Sequence, residues 1–174
     1  MKDFTTIDYL KSGNQRQQQA YKEIKTLKIF EYLTPYDPIL TGTIPIDIDL
    51  PESDLDIICH CKDHEDFSKR IYEPFADKTA FEMSTKQWNG LICTIVKFKT
   101  DNFEIEIFGQ DVPTKEQNAF RHMVIEDCIL QSKGNEFRSA IRRLKSSGLK
   151  TEEAFAQLLG LKGDPYEALL QLEL

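Results

Sequence analysis

Long apolar runs are missing from the 174-residue chain; the longest, such as "LICTIV" at 91–96, are far too short to span a bilayer. No apolar region follows Met1, where "MKDFTTIDYLKSG" is polar and mixed, so no secretion signal is expected. Cysteine is scarce and unpatterned. Cys59, Cys61, Cys93 and Cys128 show no framework spacing, which excludes a disulfide scaffold and predicts reduced thiols in a cytoplasmic protein. Basic charge is also in deficit: 22 Lys and Arg stand against 29 Asp and Glu, a formal charge of -7. That balance argues against a nucleic-acid coat or an anionic-membrane binder, since both need a basic footprint. It leaves a nucleotide substrate open, because metal ions supply positive charge locally.

What is present is an ordinary globular composition, 40% apolar and 29% charged, in a chain long enough for one good core. Ala20, Ile24, Leu27, Phe30 and Leu33 recur at three- and four-residue steps and predict one amphipathic helix over 14–33. "TPYDP" stops it, and "ILTGT" then reads as a short strand ending in a tight turn at Gly42. A second strand is expected at about 53–60, and a helix carrying Phe67, Ile71 and Phe75 follows, ending near Pro74. Strands are predicted at 79–84, 91–100 and 103–109, with "WNG" and "TDN" as hairpin turns.

Beyond Pro113 the pattern is helical. Asn135 and Thr151 are candidate N-caps, and "DPYE" at 164–167 offers Asp as a cap with Pro at the first helical position. The order predicts an α+β fold: residues 1–112 as an N-terminal helix plus an α/β core, and 113–174 as a helical region packed on it.

The chemistry concentrates on two strands. Residues two apart share a face of a strand, so Asp54 and Asp56 point one way while Leu55, Ile57 and Cys59 point into the core. Glu104 and Glu106 share a face opposite Phe103, Ile105 and Ile107. A wet face explains such alternation in general, but Asp is depleted in strands. If the two strands are neighbours, four like charges repel unless protonated or neutralised, and a hard divalent cation with oxygen ligands is the usual solution.

A turn at Gly42-Thr43, a spacer, and then "SDLDI" with a later strand acid resembles the DNA polymerase β-type nucleotidyltransferase superfamily. Its signature is a Gly-Ser turn, a spacer of about ten residues and Asp-x-Asp between apolar residues. Wider stretches, "GTIPI…SDLDIIC", "EIFGQ", "QNAFRHM" and "GLKTEEAFA…GDPYEALL", resemble an uncharacterised bacterial family of nucleotidyltransferase-like proteins of unknown function. The resemblance implies a small mixed sheet flanked by helices, with Mg²⁺ or Mn²⁺, two ions, on Asp54, Asp56 and a third acid. Glu106 is favoured over Glu104 because it abuts "FGQ". Gly42, Thr43 and Ser53 would face a phosphate, and Arg121 and His122 are further candidates for the nucleotide.

The implied partners are a nucleoside triphosphate and an unidentified hydroxyl acceptor, a small molecule, a tRNA or a protein. The family's usual basic residue near the Gly-Ser loop is replaced here by Asp47, Asp49 and Glu52. The alternative is therefore a non-catalytic module that keeps the fold and binds nucleotide or metal. A phosphoester hydrolase using the same carboxylates is a third reading. The nearby "CHCKDH" reads as core cysteines with exposed His60 and His64, not as a zinc site, because no second ligand pair follows. The basic face of Arg138, Arg142, Arg143 and Lys145 reads as a solvated face or an internal salt-bridge partner.

Overall fold

The computed structural model describes residues 2–88 and 90–172. Asn89, within the expected "WNG" turn, lies outside the described residues. Five strands form one mixed sheet in the order β1-β2-β5-β4-β3. They are β1 (Ile39–Thr41), β2 (Leu55–His60), β3 (Thr79–Trp88), β4 (Leu91–Lys99) and β5 (Glu104–Gln110). The β2–β5 pair is parallel, and the other pairs are antiparallel. The α+β reading of the chain is therefore what the molecule adopts.

The expected helix over 14–33 is divided into α1 (Gln15–Thr26) and α2 (Ile29–Leu33). Lys28 takes a left-handed conformation, φ 54°, between them. In one unbroken helix Ile24 and Ile29 would lie about 140° apart around the axis. The break lets both reach the core, where they are 1% and 0% exposed. Helix α3 (His64–Phe75) presents Phe67, Ile71 and Phe75 to the sheet, as their spacing predicts, and carries Pro74 inside its last turn. Gly109 lets α3 come close, since a Cβ there would stand 2.5 Å from the Phe67 ring. Strand β3 runs past Ser84 to Trp88 because "TKQW" pairs with β4 despite its polar composition.

The helical part begins with a 3-10 turn at Thr114–Glu116 and continues as α4 (Asn118–Ser146), α5 (Thr151–Leu159) and α6 (Pro165–Leu170). Helix α4 is interrupted at Gly134, φ 79° and ψ -169°, one residue before the cap expected at Asn135. Thr151 is the first residue of α5 rather than its cap; the backbone N–H of Lys150 donates to Glu153 at 2.7 Å instead. Asp164 caps α6 as expected, accepting from Tyr166 and Glu167.

Two apolar clusters result. One joins the sheet to α1, α2 and α3; the other joins α4, α5 and α6. The spacer "IPIDI" bridges them: Ile44 enters the first cluster, while Ile46 and Ile48 enter the second. Its alternation is that of a segment buried between two layers, not of an exposed loop.

Candidate active site

Strand β2 alternates as expected: Leu55, Ile57 and Cys59 are fully buried, and Asp54 and Asp56 face the other way. The parallel register sets Asp56 opposite Glu106, with Leu55 opposite Ile105. Glu104, one step before this pairing, lies opposite Lys99 on β4 and forms an ion pair with it at 3.3 Å. The four-carboxylate face thus divides. Asp54, Asp56 and Glu106 line a cavity of about 870 Å³, together with Gly42, Thr43 and Ser53. Glu104 stands outside that lining.

Burial and like charge raise the acids of this face. The Asp56 carboxyl is pushed up to about 7, by burial first and then by Asp54 and Glu106. Asp54 is raised by burial, with Glu106 and Glu104 adding to it. Lys97, opposite Glu106 on β4, reaches it at 2.5 Å and is held charged above its ordinary value by that bond.

The turn before β2 is cut to fit. Gly42 has φ +82°, and a Cβ on it would stand 2.5 Å from Asp56 Oδ2. Only glycine meets both demands. Thr43 Oγ1 donates to Ser53 Oγ at 3.3 Å, and Ser53 Oγ accepts from the Leu50 amide at 2.9 Å. These contacts close the acidic spacer into a loop that returns Asp54 to the turn.

That loop is held by basic side chains far away in sequence. Arg142 donates to both the carboxylate and the carbonyl of Asp47 at 2.5 Å. Arg138 donates to the carbonyls of Ile46 and Asp47, and Lys145 to that of Ile48 at 2.7 Å. Asn14 donates to Asp47 Oδ1 at 2.6 Å. At the other end, Arg16 donates to the carbonyls of Pro51 and Ser53 and lies 3.9 Å over the Phe103 ring. Of the alternatives for the basic face of α4, internal ion pairing is the one adopted by Arg138 and Arg142. Asp47, at φ 60°, is an anchor for that face.

The remaining expected residues separate. His122 is 6% exposed, lines the cavity, and is hydrogen-bonded to the Tyr166 carbonyl at 2.9 Å. Arg121 is exposed, bonds Asn118, and is not among the lining residues. Cys59 and Cys61 are core residues as read. His60 and His64 are half-buried rather than exposed, bonded to Asp111 and Thr94. Sequence reasoning did not single out Glu126 and Glu152, and it did not assign Lys145 to the site. All three line the same cavity from the helical side. The only available signal was an acid inside the apolar face of α4, a weak one without the fold.

The donor chemistry of Asp54, Asp56 and Glu106 fits a hard divalent cation: all three are carboxylates, two are raised by burial and mutual repulsion, and a cation relieves both. Among the described residues no three His, Cys, Asp or Glu side chains converge as a ready-made metal site. Glu106 turns to Lys97 instead. Also among the described residues, no helix is long and apolar enough to cross a membrane.

A family model described as "Domain of unknown function (DUF4269)" matches residues 22–172. The chain belongs to the DUF4269 family. No curated protein matches this DUF4269 chain. Its fold is similar to that of Cid1 poly(U) polymerase with MgGTP bound, at 13% identity and TM-score 0.56, over 76% of this chain and 42% of that one. A mutant of the same polymerase bound to MgATP gives 13% identity and TM-score 0.57, over 90% and 49%. The GLD-2/RNP-8 complex gives 14% and 0.54, over 87% and 60%. The DUF4269 chain therefore has the nucleotidyltransferase fold and spans less than two thirds of the length of each of these chains.

Proposed function

We propose that the chain is a metal-dependent nucleotidyltransferase that moves a nucleoside monophosphate from a nucleoside triphosphate to a hydroxyl acceptor. The observation that carries this reading is the register of β2 and β5. It sets Asp56 beside Glu106, with Asp54 on the same face, at a cavity whose lip is the Gly42-Thr43 turn. In this reading residues 1–112 supply the catalytic platform, and 113–174 supply the opposite wall of the cavity.

Asp54, Asp56 and Glu106 would hold Mg²⁺ or Mn²⁺, which supplies charge neutralisation at the phosphates and at the attacking oxygen. Asp56, largely buried and crowded by two other carboxylates, is the group most relieved by such an ion. Glu106 would leave Lys97 to join the set, freeing a lysine ammonium beside the site for the triphosphate. Gly42 permits close backbone approach to phosphate, and Thr43 and Ser53 offer hydroxyls. Glu106, released from Lys97, would also be placed to accept the acceptor's hydroxyl proton.

Label transfer from each of the four nucleoside triphosphates to extracts fractionated by size tests the reading. Transfer must require Mg²⁺ or Mn²⁺ and vanish in Asp54→Asn and Asp56→Asn. Metal affinity that is the same in both variants as in the wild type contradicts it. One observation favours the second reading, a non-catalytic nucleotide- or metal-binding module: the Lys97–Glu106 pair fills the third acid's valence. Nucleotide-induced thermal stabilisation with no turnover on any triphosphate would select that reading.

A further inference from the structure

Two of the three acids are fixed by the strand ladder, and one is not. Asp56 and Glu106 face each other within the parallel pairing of β2 and β5, which begins at Leu55 and Ile105. Asp54 lies one residue before β2, so strand pairing does not set where its carboxylate points. Its place depends on how the end of the spacer is tied down. A binding constellation tolerates little error in any member, about 0.5 Å, so that tie bears directly on the site.

Arg16, in the first turn of α1, makes the tie. Its Nη2 donates to the carbonyls of Pro51 at 3.1 Å and Ser53 at 3.3 Å, the latter directly before Asp54. Its Nη1 donates to the Asn102 carbonyl at 3.1 Å. The guanidinium lies 3.9 Å over the ring of Phe103, the residue directly before β5. One planar group thus spans the entrances of both acid-bearing strands. Its Nε is buried without a partner, so the two terminal nitrogens and the ring fix its place. The helix that carries it is anchored as well. Asn14 caps α1 in a reciprocal box with Gln17, whose side-chain amide donates to the carbonyls of Ile44 at 2.9 Å and Pro45 at 3.2 Å. The same turn of α1 therefore grips both ends of the spacer, and Arg16 holds the end that leads into Asp54. Lysine has neither the flat face for the ring nor the fixed fork that reaches two strands.

We propose that Arg16 is a positioning residue for Asp54: it locks the entrance of β2 to that of β5, so that Asp54 stands in line with Asp56 and Glu106. It acts on the backbone rather than on the carboxylate, since its hydrogen bonds end on main-chain carbonyls. That the aligned acids hold a divalent ion rests on the transferase reading; the lock between two strand entrances does not. Arg142 supplies the contrast. It grips the same spacer at Asp47, well before Asp54, and makes no bond to the carbonyls that Arg16 holds.

Mn²⁺ titration followed by electron paramagnetic resonance, on wild type, Arg16→Met, Arg16→Lys and Arg142→Ala, tests the proposal. Arg16→Met should weaken Mn²⁺ binding roughly 10- to 100-fold, the scale for losing a group that orients a metal ligand. Arg16→Lys should recover only part of that loss, and Arg142→Ala should bind Mn²⁺ as the wild type does. Wild-type affinity in a folded Arg16→Met overturns the proposal. So does an equal loss in Arg142→Ala, which would mean that loosening the spacer anywhere is enough. Where Arg16→Met does not fold, Arg16→Lys decides, and full wild-type affinity in it overturns the lock. Hydrogen exchange of the metal-free proteins is the second arm. Segments 51–56 and 102–106 should exchange faster in the Arg16 variants than in the wild type, with β3 unchanged. Unchanged exchange at those segments, or uniform quickening across the sheet, overturns the proposal. A wild type that binds no Mn²⁺, with exchange quickened only at the two strand entrances, upholds the lock and strikes the transferase reading alone.

Discussion

Asp47 and Asp56 stand nine positions apart in the same stretch, and their surroundings are opposite. Asp47 is about a third exposed and saturated: two arginines and an asparagine converge on it. Asp56 is largely buried, faces two further carboxylates, and is raised to about 7. A partnered acid is a structural staple, whereas a buried acid crowded by its own kind waits for a cation. The acidic spacer, which looked hostile to a triphosphate, spends Asp47 on holding helix α4. Asp49 is partly buried and raised by that burial, with a backbone hydrogen bond and the charges of Arg142 and Arg16 opposing the rise.

The contrast can be broken at several points. The largest effect is expected from Asp56→Asn, which should lower nucleotidyl transfer by roughly 10²–10³-fold or more, the scale for losing a transition-state charge partner. The same change should stabilise the metal-free protein above neutral pH. The sign follows from linkage: Asp56 holds its proton when folded up to about 7 but loses it near 3.8 when unfolded. Wild-type stability should therefore fall as pH rises from about 4 to 7, by on the order of 4 kcal/mol at most. Denaturant titrations across that range, on wild type and Asp56→Asn, should diverge as pH rises.

Gly42→Ala comes next. The new Cβ would crowd Asp56 Oδ2 and sit at a positive φ, so a loss of roughly 1–3 kcal/mol is expected, with metal affinity falling alongside. Normal metal binding in a folded Gly42→Ala would show that the turn does not shape the acid face. Arg142→Ala should cost less, about 1–2 kcal/mol by chemical denaturation, and Asp47→Asn under about 1 kcal/mol. Neither should change the Mg²⁺ affinity of a protein that remains folded. The smallest effect is expected from Lys97→Met, which frees Glu106 from its ion pair and should tighten Mg²⁺ by a few-fold; calorimetric titration reads it directly.

Much of the platform was readable because a strand writes its faces into alternation. Asp54-Leu55-Asp56 and Glu104-Ile105-Glu106 announced which side was wet, and among the expected caps Asp164 marked its helix start correctly while Asn135 and Thr151 did not. Alternation does not say which strands are neighbours; the Asp56–Glu106 pairing is a product of topology. The break at Lys28 was hidden because helical spacing continues across it. The helical wall was hidden for a different reason. Glu126, Lys145 and Gln117 acquire meaning only when α4 folds back over the spacer, and nothing local to them signals that contact.

The most direct test of the central claim is a Mg²⁺ titration followed by thermal unfolding at pH 8, comparing wild type with Asp56→Asn. The account predicts that Mg²⁺ raises the wild-type Tm in a saturable way and leaves the variant unmoved. Equal stabilisation of both proteins, or of neither, would contradict it.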